Sequence, residues 1–395
     1  MRIEPFDIAI PQSQVDDLTS RLRSARLPDQ LESDPWKWGV DREFLHRAIQ
    51  YWMDDFDWRA QEVRLNALPH FIADVRDAGI HFVHVKGAGP RTMPLLLTHG
   101  WPGSVVEMTE LIPLLTTSNP LTDRVGLTFD LVVPSLPGFG FSSRPTAEGM
   151  SPAVVASHFH ELMHGLGYAR FGVQGGDLGA GVSMRIALQH PESVIGAHTN
   201  FPSFVYDGAD LGPDSDAGRE FDRRRAAWIS EEGGYSHIHA TRPQTLGYAL
   251  NDSPTGLAAW ILEKFHAWSD RSADRGPAPF GMDDLLTNIS IYWFTQTITS
   301  SMRIYRESAA DPLVLSSKNR ITVPFGVAAF PAELPIQPKG RVAKVADLRR
   351  WTDAPAGGHF AAIEEPQLLA TEILAFFSDL LHEPNRDSQH TSKPA

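Results

Sequence analysis

The chain has 395 residues, of which 42% are hydrophobic and 21% charged, a composition typical of a globular protein. Its net charge of −13 at pH 7 argues against a nucleic-acid partner and against adhesion to an anionic membrane, because both need a surplus of Lys and Arg. The absence of cysteine excludes disulfides, thiolate metal sites, iron–sulfur clusters and a cysteine nucleophile.

The N-terminus and the apolar runs favour a cytoplasmic protein. Residues 1–7 are charged and lack the apolar core of a signal peptide. The strongest apolar runs, near residues 95–97 and 131–133, are long enough only for strands, whereas a membrane span needs about 20 apolar residues. We therefore expect no membrane span.

The first 90 residues are predicted to form helices and turns. The first helix is expected to be capped by Ser13 and ended by Pro28. A second helix should follow Asp41. Residues 57–59 and 66–69 are predicted to be loop and turn. The apolar residues expected on one face of each helix are Val15, Leu18 and Leu22, and then Leu45, Ile49 and Trp52.

From residue 81 onward, short apolar runs alternate with helical segments, and such runs indicate buried strands. The predicted strands cover residues 81–86, 93–98, 129–134, 171–174, 194–198, 320–325 and 345–351. The predicted helices cover residues 105–115, 154–166, 179–190 and 366–381. Alternating strands and helices predict an α/β fold with a mostly parallel sheet and helices on both faces.

A helix-like stretch rich in Trp and Tyr interrupts this alternation. The simplest domain organisation is therefore a parallel-sheet domain with a helical insertion. It divides the chain into an N-terminal extension (1–90), a first part of the core (91–202), the insertion (203–318), a second part of the core (319–382) and a polar tail (383–395).

Residues 171–185 give the strongest chemical signal, because they predict a strand, a Gly-rich turn and a helix with Asp177 at the turn. The small residues Gly175, Gly179 and Ala180 allow the close approach of strand and helix that a nucleophile elbow needs. A carboxylate at that position can attack carbon and form an ester on the enzyme. Asp is also a common helix cap, so a purely structural role for Asp177 stays open.

Two residues late in the chain could complete a triad, since this type of site follows the order nucleophile, acid, histidine. Glu333 lies just past one predicted strand, and His359 lies in a Gly-rich loop after the last one. Active sites of open α/β sheets gather at such carboxyl ends of strands. Asp347 and Asp353 are rival acids, but Asp347 falls within a predicted strand and Asp353 crowds the histidine loop.

A His-Gly-Trp-Pro turn at residues 99–102 follows the first buried strand of the core. A sharp turn there would direct a backbone N–H into the site. Together with the N–H of Leu178 it would form an oxyanion hole, in which each donor is worth about 10²–10³ in rate. The alternative is an ordinary Gly/Pro loop.

Taken together, the motifs at 99–102, 175–179, 330–333 and 357–360 resemble those of epoxide hydrolases of the α/β-hydrolase fold, specifically the microsomal-type branch. The extension resembles that branch's N-terminal segment at 57–59 and 65–71. The insertion resembles its lid at 232–238, 251–254 and 263–265. The resemblance extends over about residues 3–382.

The resemblance implies a role for each candidate residue. Asp177 would attack an epoxide carbon and form a covalent ester. Tyr235 and Tyr305 match two lid tyrosines that donate to the epoxide oxygen. His359, oriented by Glu333, would activate the water that hydrolyses the ester and releases a vicinal diol.

The resemblance also assigns the oxyanion hole to the N–H groups of Trp101 and Leu178, and the substrate pocket to Trp101, Leu178 and Phe139. Many relatives carry Trp directly after the nucleophile, whereas this chain has Leu178. The pocket should therefore lose an aromatic wall and accept substrates of a different shape.

The expected substrate is an apolar epoxide, aryl-bearing ones included, with water as the second reactant. No metal or other cofactor is implied. A homodimer, and a role in detoxification, hydrocarbon catabolism or secondary metabolism, are compatible with the sequence.

Two other enzyme classes are weighed against this interpretation. A haloalkane dehalogenase also uses an Asp elbow and a His, but the two matched tyrosines favour an epoxide. Residues His160, Glu161 and His164 fit the H-E-x-x-H pattern of zinc proteases on a predicted helix. That alternative is remote, because the sequence offers no evident third ligand.

Overall fold

The structure of the protein is a computed structural model that describes residues 1–272 and 280–382. The predicted polar tail, 383–395, lies outside the described residues. The strands are β1 (Ile3–Pro5), β2 (His70–Val75), β3 (Ala78–Val85), β4 (Thr92–Thr98), β5 (Thr128–Pro134), β6 (Phe171–Gly175), β7 (Val194–Thr199), β8 (Val205–Tyr206), β9 (Val314–Leu315), β10 (Ile321–Ala329) and β11 (Ala346–Asp353).

The helices surround these strands and also form the insertion. They are α1 (Gln12–Arg23), α2 (Arg42–Asp54), α3 (Trp58–Asn66), α4 (Leu111–Thr116), α5 (Pro120–Val125), α6 (Pro152–Gly165), α7 (Asp177–Gln189), α8 (Asp216–Glu232), α9 (Gly234–Thr241), α10 (Pro243–Leu250), α11 (Pro254–Trp268), α12 (Met282–Thr295), α13 (Ile298–Ala310), α14 (Lys339–Val345), α15 (Ala361–Glu364) and α16 (Pro366–His382). A 3₁₀ turn, Val105–Met108, precedes α4.

The main sheet of the described residues has the strand order β1-β2-β3-β5-β4-β6-β7-β10-β11. Neighbouring strands are antiparallel from β1 to β5 and parallel from β5 to β11. This is the α/β-hydrolase arrangement that the sequence predicts. Because parallel strands end at one edge of a sheet, the loops after β4, β6 and β10 meet there.

The central strands are buried on both faces, as β4 illustrates. Leu96 packs into the core that contains α6 and α7, whereas Leu95 and Leu97 pack into the opposite core with α4 and α16. Successive side chains of a strand point to opposite faces. The continuous apolar run at 93–98 is therefore what a strand covered by helices on both sides requires.

The N-terminal extension packs against the insertion. Helices α1 and α2 contact α11, and α3 contacts α12. Trp52 donates its indole N–H to Ser290 Oγ at 3.1 Å, and the Tyr51 hydroxyl donates to Asp283 at 2.9 Å. Both acceptors lie on α12, so the extension stabilises the position of that helix.

The extension contains elements that the sequence interpretation missed. Strands β1 and β2 pair with each other, and β2 pairs with β3. The loop predicted at 57–59 is wrong, because Trp58 and Arg59 begin helix α3 and Asp57 is its N-terminal cap. The Asp57 carboxylate caps that helix by accepting the N–H groups of Arg59 (2.9 Å) and Ala60 (3.2 Å).

The two helix caps predicted for the extension differ in outcome. Asp41 caps α2 as predicted, since its carboxylate accepts the N–H of Phe44 at 2.8 Å. The cap predicted at Ser13 is wrong, because α1 begins at Gln12 after Pro11, and it ends at Arg23.

Within the core, the helix predicted at 105–115 is divided. Its first part is the 3₁₀ turn, and α4 begins only at Leu111. Pro113 explains the division, because proline has no N–H to donate and is tolerated only in the first turn of a helix. Helix α14 and the short strands β8 and β9 were not predicted.

No helix among residues 1–272 and 280–382 is long and apolar enough to cross a membrane.

Candidate active site

Asp177 lies where β6 turns sharply into α7, with only Gly176 between the two elements. Its φ of +47° is in the left-handed region, which costs a non-glycine residue about 1–2 kcal/mol. The turn also requires glycine at 179, because a Cβ there would lie 2.1 Å from the carbonyl oxygen of Thr98. The geometry is that of a nucleophile elbow.

The alternative in which Asp177 merely caps α7 does not fit the structure. Gly176 occupies the cap position, and no side chain caps the helix. Asp177 Oδ1 instead accepts the backbone N–H of Trp101 at 2.8 Å. Leu178 is the second residue of α7, so its N–H has no acceptor within the helix. Both N–H groups of the predicted oxyanion hole thus belong to residues beside the carboxylate.

His99 fixes the turn that carries Trp101. Its Nε2 accepts the N–H of Leu136 at 3.2 Å, so Nδ1 carries the proton and donates to the Gly100 carbonyl at 2.9 Å. Burial lowers the pKa of His99 to about 4. The imidazole is therefore neutral at pH 7 and adds no positive charge beside Asp177.

His359 lies between two carboxylates. Its Nδ1 is 2.5 Å from Glu333 Oε1, and its Nε2 is 3.4 Å from Asp177 Oδ2. Glu333 Oε1 also accepts the N–H of Leu334 at 2.8 Å. The structure therefore brings together the three residues predicted to form the triad.

The loops that carry Glu333 and His359 are joined by backbone pairing. The Ala332 N–H donates to the Gly357 carbonyl at 3.1 Å, and Ala332 pairs with Gly358 as an isolated bridge. The His359 N–H donates to the Trp268 carbonyl at 2.9 Å, at the end of α11. The insertion thus helps to position the histidine.

The charge state of His359 follows from its surroundings. Burial alone would lower its pKa, but the charges of Glu333 and Asp177 and the hydrogen bonds to them raise the pKa well above its ordinary value. While Asp177 is ionised, His359 is accordingly an imidazolium.

Tyr235 and Tyr305 approach the nucleophile from helices α9 and α13 of the insertion. The Tyr235 ring stacks on Trp101, with centroids 5.2 Å apart and planes inclined by 8°. The ring centroids of Tyr235 and Tyr305 are 5.7 Å apart. The Tyr305 hydroxyl is buried and has no hydrogen-bond partner among the described residues. Both phenols thus border the same space above Asp177.

Both tyrosines are neutral hydrogen-bond donors at pH 7. Burial, together with the charge of Asp177, raises the pKa of Tyr235. Burial also raises the pKa of Tyr305 well above its ordinary value.

A cavity of about 750 Å³ opens onto Asp177, Leu178 and both tyrosines. One part of its remaining wall is aromatic and is formed by Phe201, Phe204, Tyr206, Phe221 and Trp228. Another part is charged and includes Arg185, Asp222, Arg225, Asp311 and Arg341. The aromatic part of the wall suits an apolar group of a substrate.

Several residues lie elsewhere than the sequence suggests. Trp101 and Phe139, predicted to form the pocket, are not among the lining residues of this cavity. Trp101 lies behind the Tyr235 ring, and Phe139 is fully buried against His99 and Tyr292. Of two other tyrosines of the insertion, Tyr292 is buried in the core, whereas Tyr248 is 74% exposed.

The H-E-x-x-H residues do not form a catalytic zinc site in this structure. His160 and His164 both bond Ser193 Oγ, at 3.0 and 3.1 Å, and Glu161 pairs with Arg76. His160 also lies near His190 and Glu192. The rings of His160 and His190 stack at 3.7 Å with planes inclined by only 6°, however, so their in-plane lone pairs do not converge on one ion.

The rival acids Asp347 and Asp353 have other partners. Asp347 pairs with Arg349 at 2.8 Å, and Asp353 accepts the Trp351 indole N–H at 2.9 Å. Neither carboxylate contacts His359.

Sequence reasoning missed two residues that support the site. His239 is fully buried, and its ring packs against Trp101, Tyr235 and Tyr305 at centroid distances of 4.7, 5.5 and 4.9 Å. Its position four residues after Tyr235 on α9 is a signal that could have found it, since such residues share a helix face. Glu107, close to His359, has no comparable signal in the local sequence.

The comparisons with known proteins agree with this geometry. A family model described as "Epoxide hydrolase N terminus" matches residues 3–108, and one described as "alpha/beta hydrolase fold" matches residues 93–228. The chain is 42% identical over 382 residues to a protein of Stigmatella aurantiaca that bears an epoxide hydrolase name, covering 96% of this chain and 85% of that protein. It is 38% identical to Epoxide hydrolase 1 of Oryctolagus cuniculus, covering 95% of this chain and 88% of that protein.

Solved structures give the same result. Juvenile hormone epoxide hydrolase from the silkworm Bombyx mori superimposes with a TM-score of 0.85 at 33% identity, covering 96% of this chain and 95% of that one. The Aspergillus niger epoxide hydrolase has a TM-score of 0.84 at 30% identity, with 96% and 97% covered. The fold, the elbow and these similarities together show that the chain belongs to the epoxide hydrolase family of the α/β-hydrolase fold.

Proposed function

We propose that the protein hydrolyses apolar epoxides, aryl-bearing ones included, to vicinal diols through a covalent ester on Asp177. One observation carries the proposal: a single carboxylate contacts both the Trp101 N–H (2.8 Å) and His359 Nε2 (3.4 Å), and two buried phenols border the same cavity. A nucleophile, a base and proton donors thus surround one space.

In the first step, a carboxylate oxygen of Asp177 attacks an epoxide carbon and the ring C–O bond breaks. The ring oxygen becomes an alkoxide and takes a proton from Tyr235 or Tyr305. Neutral phenols suit this role, because an alkoxide is far more basic than a phenolate. The unpartnered Tyr305 hydroxyl supports it, since its hydrogen would be satisfied by the epoxide oxygen.

In the second step, His359 removes a proton from water, and the hydroxide attacks the ester carbonyl of Asp177. The tetrahedral oxyanion accepts hydrogen bonds from the N–H groups of Trp101 and Leu178. When the intermediate collapses, the ester C–O bond breaks. The departing oxygen takes from His359 the proton that the histidine removed from water, and the diol is released. One oxygen of the diol comes from the epoxide and the other from Asp177, whose carboxylate keeps the oxygen of water.

The charge environment of His359 supports this order of events. Alkylation neutralises Asp177 and removes one of the two carboxylates that raise the pKa of His359. The pKa of the histidine therefore falls after the first step, and the imidazolium releases its proton to solvent, while the phenolate left by ring opening takes a proton back from solvent. His359 is then the neutral imidazole that is needed as a base. Glu333 stays charged and keeps the ring in its tautomer and orientation.

Trapping of the ester tests the proposal. His359→Gln should form the ester but hydrolyse it about 10²–10⁴-fold more slowly than the wild type, because the general base is lost. Intact-protein mass spectrometry after addition of styrene oxide, or of another aryl epoxide that the wild type consumes, should show an adduct of the epoxide's mass.

Asp177→Asn is the matched control, since it keeps the size of the side chain and should give neither adduct nor diol. In heavy-oxygen water, a single turnover of the wild type should label the peptide that contains Asp177 and leave the first diol unlabelled. Label that enters the diol directly would disprove the covalent route.

The cytoplasmic location, the homodimer and the role in detoxification, catabolism or secondary metabolism stay predictions from the sequence.

A further inference from the structure

A second, much smaller cavity lies behind the nucleophile. Its volume is about 20 Å³, and its polar lining includes Asp177, His359, Glu107, Gln174 and Asn200. A cavity needs a volume of roughly 10–15 Å³ to hold one water molecule. The space is therefore the size of a single water and touches both groups that act in ester hydrolysis.

Glu107 reaches this cavity because residue 103 is glycine. A Cβ at Gly103 would lie 1.2 Å from Glu107 Oε1, so any larger residue would displace the carboxyl group. Gly103 closes the turn that carries Trp101. The backbone of the oxyanion turn thus leaves room for an acidic group next to the triad.

The wall of the cavity also includes an unsatisfied polar atom. Gln174 is 1% exposed, and its Oε1 has no hydrogen-bond partner among the described residues. Its Nε2 already donates to Asn200 Oδ1 at 3.3 Å. Buried polar atoms are nearly always paired, and a water in a polar cavity commonly supplies the missing partner.

We infer that this cavity is the site of the hydrolytic water and that Glu107 is a positioning residue for it. The inference rests on the proposed function and deepens it. The water donates one hydrogen to His359 and the other to a Glu107 oxygen, which directs its lone pair at the ester carbonyl of Asp177. Glu107 takes no proton in the step, since His359 is the base.

The ionisation of Glu107 is consistent with this role. Burial raises its pKa to about 8, with the His359 charge lowering it and the Asp177 charge raising it. At neutral pH the carboxyl group is therefore mostly protonated. It keeps a carbonyl oxygen that accepts from water, and it adds little negative charge beside Asp177.

A pair of substitutions tests the inference. Glu107→Met keeps the length of the side chain but removes the acceptor, and should slow ester hydrolysis by about 10²-fold, as expected for a misplaced reactant. Glu107→Gln keeps a carbonyl oxygen and should stay within about 10-fold of the wild type. Rapid-quench experiments with styrene oxide, or another epoxide the wild type consumes, measure ester formation and ester hydrolysis separately, and ester formation should change less than about 3-fold in both variants.

Glu110→Met, an exposed glutamate of the same segment, is the control and should leave both rates unchanged. If Glu107→Met does not fold, Gln174→Met tests the same cavity through another of its polar residues and should also slow hydrolysis selectively. Equal loss of both steps, or wild-type hydrolysis in the Met variant, would overturn the role of Glu107. Absence of any ester in His359→Gln would instead overturn the proposed function, so the two failures are distinguishable.

Discussion

At the scale of single residues, Tyr305 shows how a costly feature can mark a functional one. A buried hydroxyl without a partner costs a protein about 1–3 kcal/mol. The Tyr305 hydroxyl is close to that situation, because it makes no hydrogen bond of normal geometry among the described residues and only the Tyr235 side chain is near enough to interact with it. Its retention is understandable if the substrate oxygen supplies the partner during the reaction.

Tyr305→Phe should therefore slow ring opening by about 10²-fold or more, because a proton donor is lost, while Tyr235 keeps the rate above zero. The free energy of unfolding should stay the same or rise, because an unsatisfied group is removed. Single-turnover rates of ester formation and urea unfolding measure the two effects.

Tyr248→Phe, an exposed tyrosine of the same insertion, is the control and should change neither quantity. If Tyr305→Phe raised KM alone, the residue would be a wall of the pocket and not a donor.

The site residues divide into those that the sequence reveals and those that it does not. Asp177, Glu333 and His359 were predicted because the fold imposes an order along the chain and places each at a strand end. Glu107 was missed because its relevance arises only from tertiary packing. His239 was missed because its spacing from Tyr235 predicts a shared helix face but not what that face contacts. The local sequence around a Glu in a short turn, or around a His on a helix, is the same whether or not the residue has a function.

At the scale of elements, helix α12 connects the N-terminal extension to the oxyanion turn. Asn288 donates to the Pro102 carbonyl, and the Tyr292 hydroxyl donates to the Gly103 carbonyl, both at 2.8 Å. The same helix accepts the hydrogen bonds from Trp52 and Tyr51. The extension thus contacts the helix that holds the oxyanion turn, although it does not itself contact that turn through these bonds.

Tyr292→Phe should loosen that connection. The Gly103 carbonyl would be left buried without its donor, so the free energy of unfolding should fall by about 1–3 kcal/mol. Because the turn also carries Trp101, its N–H should become less well positioned, and we expect kcat to fall by about 10-fold. This is less than the loss of about 10²–10³-fold expected when an oxyanion-hole donor is removed completely. Urea unfolding and steady-state kinetics measure these changes.

Tyr51→Phe removes a hydrogen bond to the first turn of the same helix, far from the turn at Trp101, and should leave kcat within about 2-fold. Equal effects of the two substitutions on kcat would show that α12 does not transmit position to the turn.

The elements that the sequence predicts correctly are those with a clear pattern of apolar residues. Strands β4 to β7 are buried at most positions, and their sequences contain short apolar runs. Strand β2, His70–Val75, mixes exposed and buried positions next to the edge strand β1, so its pattern is weak. Helix α3 was missed because Asp57 was interpreted as part of a loop, although the same residue is a strong helix cap.

At the scale of the whole molecule, buried histidines link stability to pH. Burial lowers the pKa of His99 and of His198 to about 4 each. In the unfolded chain both would titrate near 6.5. Between these values the unfolded state binds protons that the folded state does not, so stability is lost as pH falls from about 6.5 to about 4. His359 does not offset this loss, because its raised pKa means that it is already protonated in the folded state above 6.5.

His198→Leu isolates one of these groups. Each of the two histidines should contribute a loss of about 3 kcal/mol by pH 4, with a slope of about 1.4 kcal/mol per pH unit between 6.5 and 4. In the variant, the dependence of the free energy of unfolding on pH should be weaker by about 1.4 kcal/mol per pH unit, whatever the stability at pH 7. Both ring nitrogens of His198 lack partners among the described residues, so the substitution removes a titrating group without breaking a hydrogen bond. Urea unfolding at pH 7, 6 and 5 gives the slopes, with exposed His46→Leu as the control that keeps the wild-type slope. An unchanged slope in His198→Leu would show that acid unfolding is governed by other groups, such as the Glu372–Arg350 pair near this histidine.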